Sequence, residues 1–209
     1  GSPVGTVTFD DLAETDCYFY FGQNPGTNSP RFLHNLKDLK DRGGKIVTFN
    51  PVIEQGLVSF VDPQNPLAMM TGKETVISDQ YHQLQSGGDV AAILGLCKVV
   101  VQADDKAQEA GAREVIDHAF IEEHTTGFDE FIAFCRDAEW SDIERSSGLT
   151  EAALREAAQV YIEAEKTIGV YGMGFTQHTH GALNIAMMVN LLLLRGIIGR
   201  EGAGCCPVR

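Results

Sequence analysis

The stretch Thr167-Ile168-Gly169-Val170-Tyr171-Gly172-Met173-Gly174 decides the fold. A run ending Ile168–Tyr171 reads as a strand, and the Gly-X-Gly that follows reads as a turn. Beyond Gln177-His178 an apolar helix begins. A strand, a tight glycine turn and a helix in that order let backbone N–H groups approach an anionic ligand at the head of the helix. Working outward, Cys17-Tyr18-Phe19-Tyr20-Phe21 is a continuous apolar run that suits a strand buried on both faces. It also ends in a glycine turn, Gly22 to Asn28. A helix over Phe32, Leu33, Leu36 and Leu39 follows, with Pro30 at its first position and Ser29 as its cap, and Arg42-Gly43-Gly44 closes it. Lys45–Phe49 is then the next strand, closed by Asn50-Pro51. This is one βαβ unit, which demands parallel strands and a right-handed crossover.

The rest of the chain reads less regularly. Residues 51–87 are broken by Gly56, Pro63, Pro66 and Gly72, and form a long excursion with one or two short helices. Segments of this length without regular structure are usually functional. Asp89–Val101 reads as an apolar helix entered from Gly87-Gly88, and residues 104–148 as a helical elaboration. Thr150 caps an amphipathic helix whose stripe is Leu154, Ala157, Ala158, Tyr161 and Ile162, with Lys166 at its negative end. The whole, residues 1–209, is expected to be one α/β domain, Rossmann-like and three-layered, with a mostly parallel sheet and a helical elaboration. The pattern runs to Arg209 without a natural close, so the sequence reads as a piece of a longer chain.

Composition narrows the function. Sixteen basic residues against 29 acidic give a formal charge of −13, which repels a phosphate backbone and argues against nucleic acid as a partner. A nucleotide remains compatible, since backbone dipoles bind phosphate locally. The five cysteines, Cys17, Cys97, Cys135, Cys205 and Cys206, include no C-x-x-C pair and lack the clustered spacing that iron–sulfur ligation needs. They fit a reduced, cytoplasmic setting without disulfides. The apolar run Ile185–Leu194 is 10 residues long and interrupted by Asn190, so it reads as a buried helix rather than a membrane span. No secretory leader is expected.

Each motif has a bland reading beside the functional one. Gly172-Met173-Gly174 could clear space for a pyrophosphate or could simply pack a turn against the sheet. Asn24 and Asn28 could meet a purine edge or ribose, or serve turn chemistry. Asn50 ends a strand where α/β folds bind ligands, but Asn-Pro also ends strands by itself. His178 and His180 lack a third residue at ligand spacing, which disfavours a metal. Adjacent Cys205 and Cys206 are better packed thiols than a disulfide. Arg209 alone is a solvated cation.

In order along the chain, Phe21-Gly22-Gln23-Asn24-Pro25-Gly26-Thr27-Asn28, Arg42 to Pro51, Gly87-Gly88-Asp89, His124 to Phe128, Tyr171 to His178 and Leu194 to Gly204 resemble the molybdopterin-dependent oxidoreductases. The branch they resemble is the large (alpha) subunit of formate-dehydrogenase-like enzymes. The resemblance implies a molybdenum (or tungsten) ion held by two molybdopterin guanine dinucleotides, and two-electron oxidation or reduction of a small-molecule substrate. It implies that Gly22, Asn24 and Asn28 line the nucleotide, and that Asn50 and Asp89 recognise guanine. Gly172, Met173, Gly174 and Gln177 would approach the pyrophosphate or pterin, and Arg209 would stand beside the metal as a catalytic residue. Many relatives carry Asp where this chain has Asn50, and the 51–87 excursion is long for the family. No metal ligand is expected in this chain. The 4Fe-4S cluster and the metal's protein ligand would lie in other segments, so the piece alone is expected to be inactive and free of cofactor. Its partners would be the remaining domains of the same chain and an electron-transfer protein. Two other readings compete: a structural module of the same fold that binds no cofactor, as in respiratory-complex subunits, and a free-standing flavodoxin-like nucleotide binder.

Overall fold

The computed structural model describes residues 5–60, 70 and 74–208. Helix α1 (Asp11–Glu14) leads into strand β1 (Cys17–Phe21), which is followed by α2 (Pro25–Asn28), α3 (Phe32–Asp41) and β2 (Lys45–Phe49). The excursion holds α4 (Gln55–Val58) and a small antiparallel pair, β3 (Ser59–Phe60) with β4 (Thr75–Val76), before β5 (Gln80–His82). Five helices come next: α5 (Asp89–Glu109), α6 (His118–His124), α7 (Phe128–Asp137), α8 (Trp140–Ser147) and α9 (Glu151–Glu163). Strand β6 (Thr167–Tyr171), α10 (Met173–Thr176), α11 (Gly181–Leu194) and β7 (Gly204–Pro207) complete the described chain.

The main sheet has the order β5-β2-β1-β6-β7, and every neighbouring pair is parallel. All five residues of the central β1 are buried because both of its faces are covered. Cys17, Phe19 and Phe21 face a core built with α5, α9 and α11, whereas Tyr18 and Tyr20 face Leu12, Leu36, Leu39 and Leu57 on α1, α3 and α4. This is the three-layer α/β arrangement that the sequence predicts. The helical elaboration wraps α5, whose Ile93, Leu96, Cys97 and Val100 are fully buried.

Helix α5 runs two turns past its expected end. Buried Asp104 anchors the added turns: its Oδ1 accepts the amides of Val115 (2.7 Å) and Ile116 (2.8 Å), and its Oδ2 accepts Gln108 Nε2 (2.8 Å). Lys98, also buried, donates to the carbonyls of Cys135 (3.2 Å) and Arg136 (2.6 Å) near the end of α7, where a cation meets unsatisfied acceptors. Thr150 does cap α9, its Oγ1 accepting from Ala153 N at 3.2 Å.

Two local expectations are corrected, and two strands are added. Ser29 does not cap a helix at Pro30: Asn24 caps the short α2, with Pro25 at its first position, and α3 begins only at Phe32. Lys166 lies beyond the end of α9, and the carbonyls of Tyr161 and Ala164 there are taken by the guanidinium of Arg195, the residue that follows α11. Strands β5 and β7 have no counterpart in the sequence reading, since Gln-Tyr-His and Gly-Cys-Cys-Pro lack the apolar run that marked the others. Beside β7, Thr6 pairs with the same residue twice: Thr6 N donates to Cys205 O (2.8 Å) and Cys205 N to Thr6 Oγ1 (2.9 Å). The first described residues therefore lie against the last strand.

Candidate functional site

Phe21, Phe49 and Tyr171 stand side by side in register at the ends of β1, β2 and β6. The turns that follow them consequently share the carboxyl edge of the sheet, where open α/β sheets bind ligands. Backbone bonds stitch the turns together: Gly22 N to Phe49 O, Gly172 N to Phe21 O and Gly174 N to Gly22 O, each 3.1 Å. Gly22 has φ +55°, and a Cβ there would come within 2.5 Å of Phe175 N. A Cβ on Gly174 would come within 2.8 Å of Gly22 O. Glycine is required at these positions by the approach of one turn to the other, and the amides of Gly172 and Gly174 are already engaged in that contact.

On one side of this contact the polar residues form a network. Asn24 Oδ1 accepts from Thr27 N (3.1 Å) and its Nδ2 donates to Glu54 Oε2 (2.6 Å), so both ends of its amide are engaged. The Tyr81 hydroxyl accepts from Glu54 N (3.0 Å), donates to Val52 O (2.8 Å) and meets the side chain of the buried Asn50. Asn24 and Asn50 are thus joined through Glu54 and Tyr81. Asn28, the last residue of α2, is exposed.

On the other side Asp89 opens α5 and is only 4% exposed. Burial pushes its carboxyl group above the ordinary aspartate value, while His178, with Nε2 3.9 Å from Asp89 Oδ2, pulls the other way. That same Nε2 lies 2.7 Å from Nδ2 of Asn184, which also donates to Phe175 O (2.8 Å). The ring of His178 is therefore committed toward α5 and α11. His180 stands 6.3 Å away at 79°, and among the described residues no three His, Cys, Asp or Glu side chains gather to hold a metal.

A cleft of about 490 Å³ opens beside these turns between Tyr171, Met173, Gln177, Ile185, Pro207 and Val208. Met173 and Gln177 are exposed on its wall. Arg209 lies outside the described residues. A second hollow of about 470 Å³ lies near the start of α6, but Arg200 there pairs with Asp117 and Arg195 with backbone carbonyls.

Two residues that sequence reasoning passed over join the site. Gln23 is 4% exposed, yet neither Oε1 nor Nε2 has a hydrogen-bond partner. Asn184 is fully buried with its Oδ1 unpartnered. A Gln in a Gly-X-Asn-Pro turn reads as a surface residue, and an Asn inside an apolar helix carries no sign of what it faces. The one available signal was the interruption of an otherwise apolar helical face by Asn184.

Residues 2–208 match the sequence profile described as "Molybdopterin oxidoreductase". The chain is 45% identical over 209 residues to Protein YdeP of Escherichia coli K12, covering all of this chain and 28% of that protein. It is 28% identical to the F420-dependent formate dehydrogenase subunit alpha of Methanocaldococcus jannaschii, covering 27% of it. Acetylene hydratase from Pelobacter acetylenicus has the same fold, with a TM-score of 0.68 at 17% identity over 97% of this chain and 24% of that one. The chain therefore spans about a quarter of the length of these proteins.

Proposed function

As the chain belongs to the molybdopterin oxidoreductase family, we propose that it holds one molybdopterin guanine dinucleotide in a formate-dehydrogenase-like oxidoreductase. When bound, the molybdenum (or tungsten) centre supplies a two-electron redox change for a small substrate. Asp89 is the observation that carries the reading. A carboxylate buried beside the turns of the carboxyl edge, with His178 3.9 Å away, suits the adjacent N–H donors of a guanine. The unpartnered atoms of Gln23 and Asn184 add buried polar capacity at the same edge. Met173 and Gln177 then line the approach to the pterin or pyrophosphate, and Gly22, Asn24, Asn28 and Asn50 shape the nucleotide side. In this reading Gly172 and Gly174 act by bringing the turns together, since their amides are engaged. Arg209 stabilises negative charge developing on substrate. An iron–sulfur cluster, the metal's protein ligand and contacts to an electron-transfer partner belong to other segments. The cysteine usage favours the cytoplasm. Among the described residues no helix is long and apolar enough to cross a membrane.

A second reading, a structural module of the same fold without cofactor, draws on the engaged amides of Gly172 and Gly174 and the fully engaged Asn24. The two separate in the full-length protein. Asp89→Ala should lower molybdenum or tungsten content and the guanine released on acid hydrolysis. Arg209→Ala should leave both nearly unchanged and lower turnover about a hundredfold, the scale of roughly 3 kcal/mol lost with one preorganised donor. Equal loss of cofactor in both variants would reject this division of roles. A full-length wild type with no cofactor would favour the structural module.

A further inference from the structure

The hollow near the start of α6 lies at the opposite end of the sheet from the glycine turns. Glu163 and Glu165 form part of its wall, just ahead of Thr167, where β6 begins. Half-buried Arg195 stands in it with its guanidinium already held. Nη1 donates to Tyr161 O and to Ala164 O (2.7 Å), and Cζ sits over the Tyr161 ring, 5.4 Å from its centroid. The Tyr161 hydroxyl is itself tied to Leu191 O at 2.7 Å. The carbonyl bonds use Nη1 alone. Nε and Nη2 together form the edge that pairs side by side with a carboxylate. Among the described residues neither atom has a partner, and neither is sealed from solvent.

Elsewhere in the fold this edge is filled. Arg136 sets Nε (3.2 Å) and Nη2 (2.6 Å) on the two oxygens of Asp105, and Arg155 sets Nε (2.7 Å) and Nη2 (2.6 Å) on Glu151. Arg195 has no such partner, although four carboxylates line its hollow. Asp117 is spent on Arg200 and on the amide of Phe120, and Glu163 accepts from Gln159 at 2.8 Å. Glu114 and Glu165 are exposed and form no ion pair among the described residues. Arg113, on the same wall, forms none either. Burial pushes the Arg195 guanidinium below its ordinary value; Arg113 and Arg200 add to the push, and Glu165 opposes it. A lysine could serve the two carbonyls, so the vacant edge is surplus to closing α9.

We propose that the vacant edge of Arg195 is a binding site for a small organic carboxylate, whose two oxygens accept from Nε and Nη2 while Arg113 supplies a second positive charge to the same hollow. The receptor edge is fixed before the ligand arrives, which lowers the ordering cost of binding. A volume of about 470 Å³ falls within the range of small-molecule sites. The exposed Glu114, Glu163 and Glu165 repel a second anionic group, so the site takes a monocarboxylate in preference to a dicarboxylate. It stands apart from the carboxyl edge and does not depend on the function proposed there.

The test uses the full-length protein with acetate and succinate as probes, at constant ionic strength. Binding is followed by saturation-transfer NMR of the probe, and folding by urea unfolding. Acetate should saturate one site and bind it more tightly than succinate. Arg195→Lys, which keeps the charge and loses the edge, should weaken acetate at least about tenfold. Arg113→Ala, at an exposed position that folding does not need, should weaken it about threefold, and it decides the matter if Arg195→Lys fails to fold. Acetate bound equally well by wild type and both variants would overturn the inference. So would tighter binding of succinate, which would make the hollow a polyanion site. Binding lost in Arg209→Ala and kept in Arg195→Lys would place the acetate at the carboxyl edge and overturn it as well. A wild type without saturable binding would mean that an acidic side chain from the rest of the protein fills the edge, and no free ligand enters.

Discussion

Asp89 shows how burial sets a residue's contribution to folding. Its carboxyl group is held above its ordinary value of 3.8, with burial as the largest cause. Below that pH the group is protonated in both folded and unfolded chains and contributes no difference. As pH rises through 3.8 and then through the raised folded value, the unfolded chain ionises more readily, and a penalty for burying the charge develops. Asp89→Asn should therefore be more stable than wild type at pH 7, with the gain disappearing in urea titrations run below pH 3.8. A gain that persisted in acid would point to packing instead of charge. The position of Asp89 was legible, since Gly87-Gly88 ahead of an apolar run marks the head of a helix. Its neighbours were not: His178 and Asn184 lie 89 or more residues further along the chain, and only tertiary folding brings them to it.

At the scale of elements, the two glycine turns separate conformational need from close approach. Gly43 has φ +85° with nothing within 4 Å of an added Cβ, whereas Gly22 combines φ +55° with backbone 2.5 Å away. Gly43→Ala should cost about 1 kcal/mol, the left-handed penalty alone. Gly22→Ala should cost more than about 2 kcal/mol, because the β6 turn must also move. Urea unfolding of the two variants checks the ranking, and equal losses would mean that the turns part freely. The strands read correctly, β1, β2 and β6, carry their own apolar or branched runs. Strands β5 and β7 are recruited by the edges of neighbours already in place, and their own residues carry little of that information. The same holds for the end of α9, which is closed by an arginine 31 residues away from Ala164.

Across the whole molecule, 29 acidic and 16 basic residues leave a net charge of −13. Raising salt from about 10 mM to about 150 mM shortens the screening length from roughly 30 Å to about 8 Å. The thermal midpoint should rise over that range, by about 2–4 °C for each kcal/mol of repulsion removed. A fall would mean that exposed pairs such as Lys37–Asp41 outweigh the net repulsion. Three layers and a parallel sheet were readable because hydrophobic periodicity is a property of every segment; the cleft was not, because it exists only where segments meet. The pairing of Thr6 with Cys205 has a topological consequence. Chain entering at residue 6 and leaving at 205 passes one point, so a host polypeptide could accept the whole layered body at a single surface position. The host would close a gap no wider than two neighbouring strands, about 5 Å, with little added loop entropy.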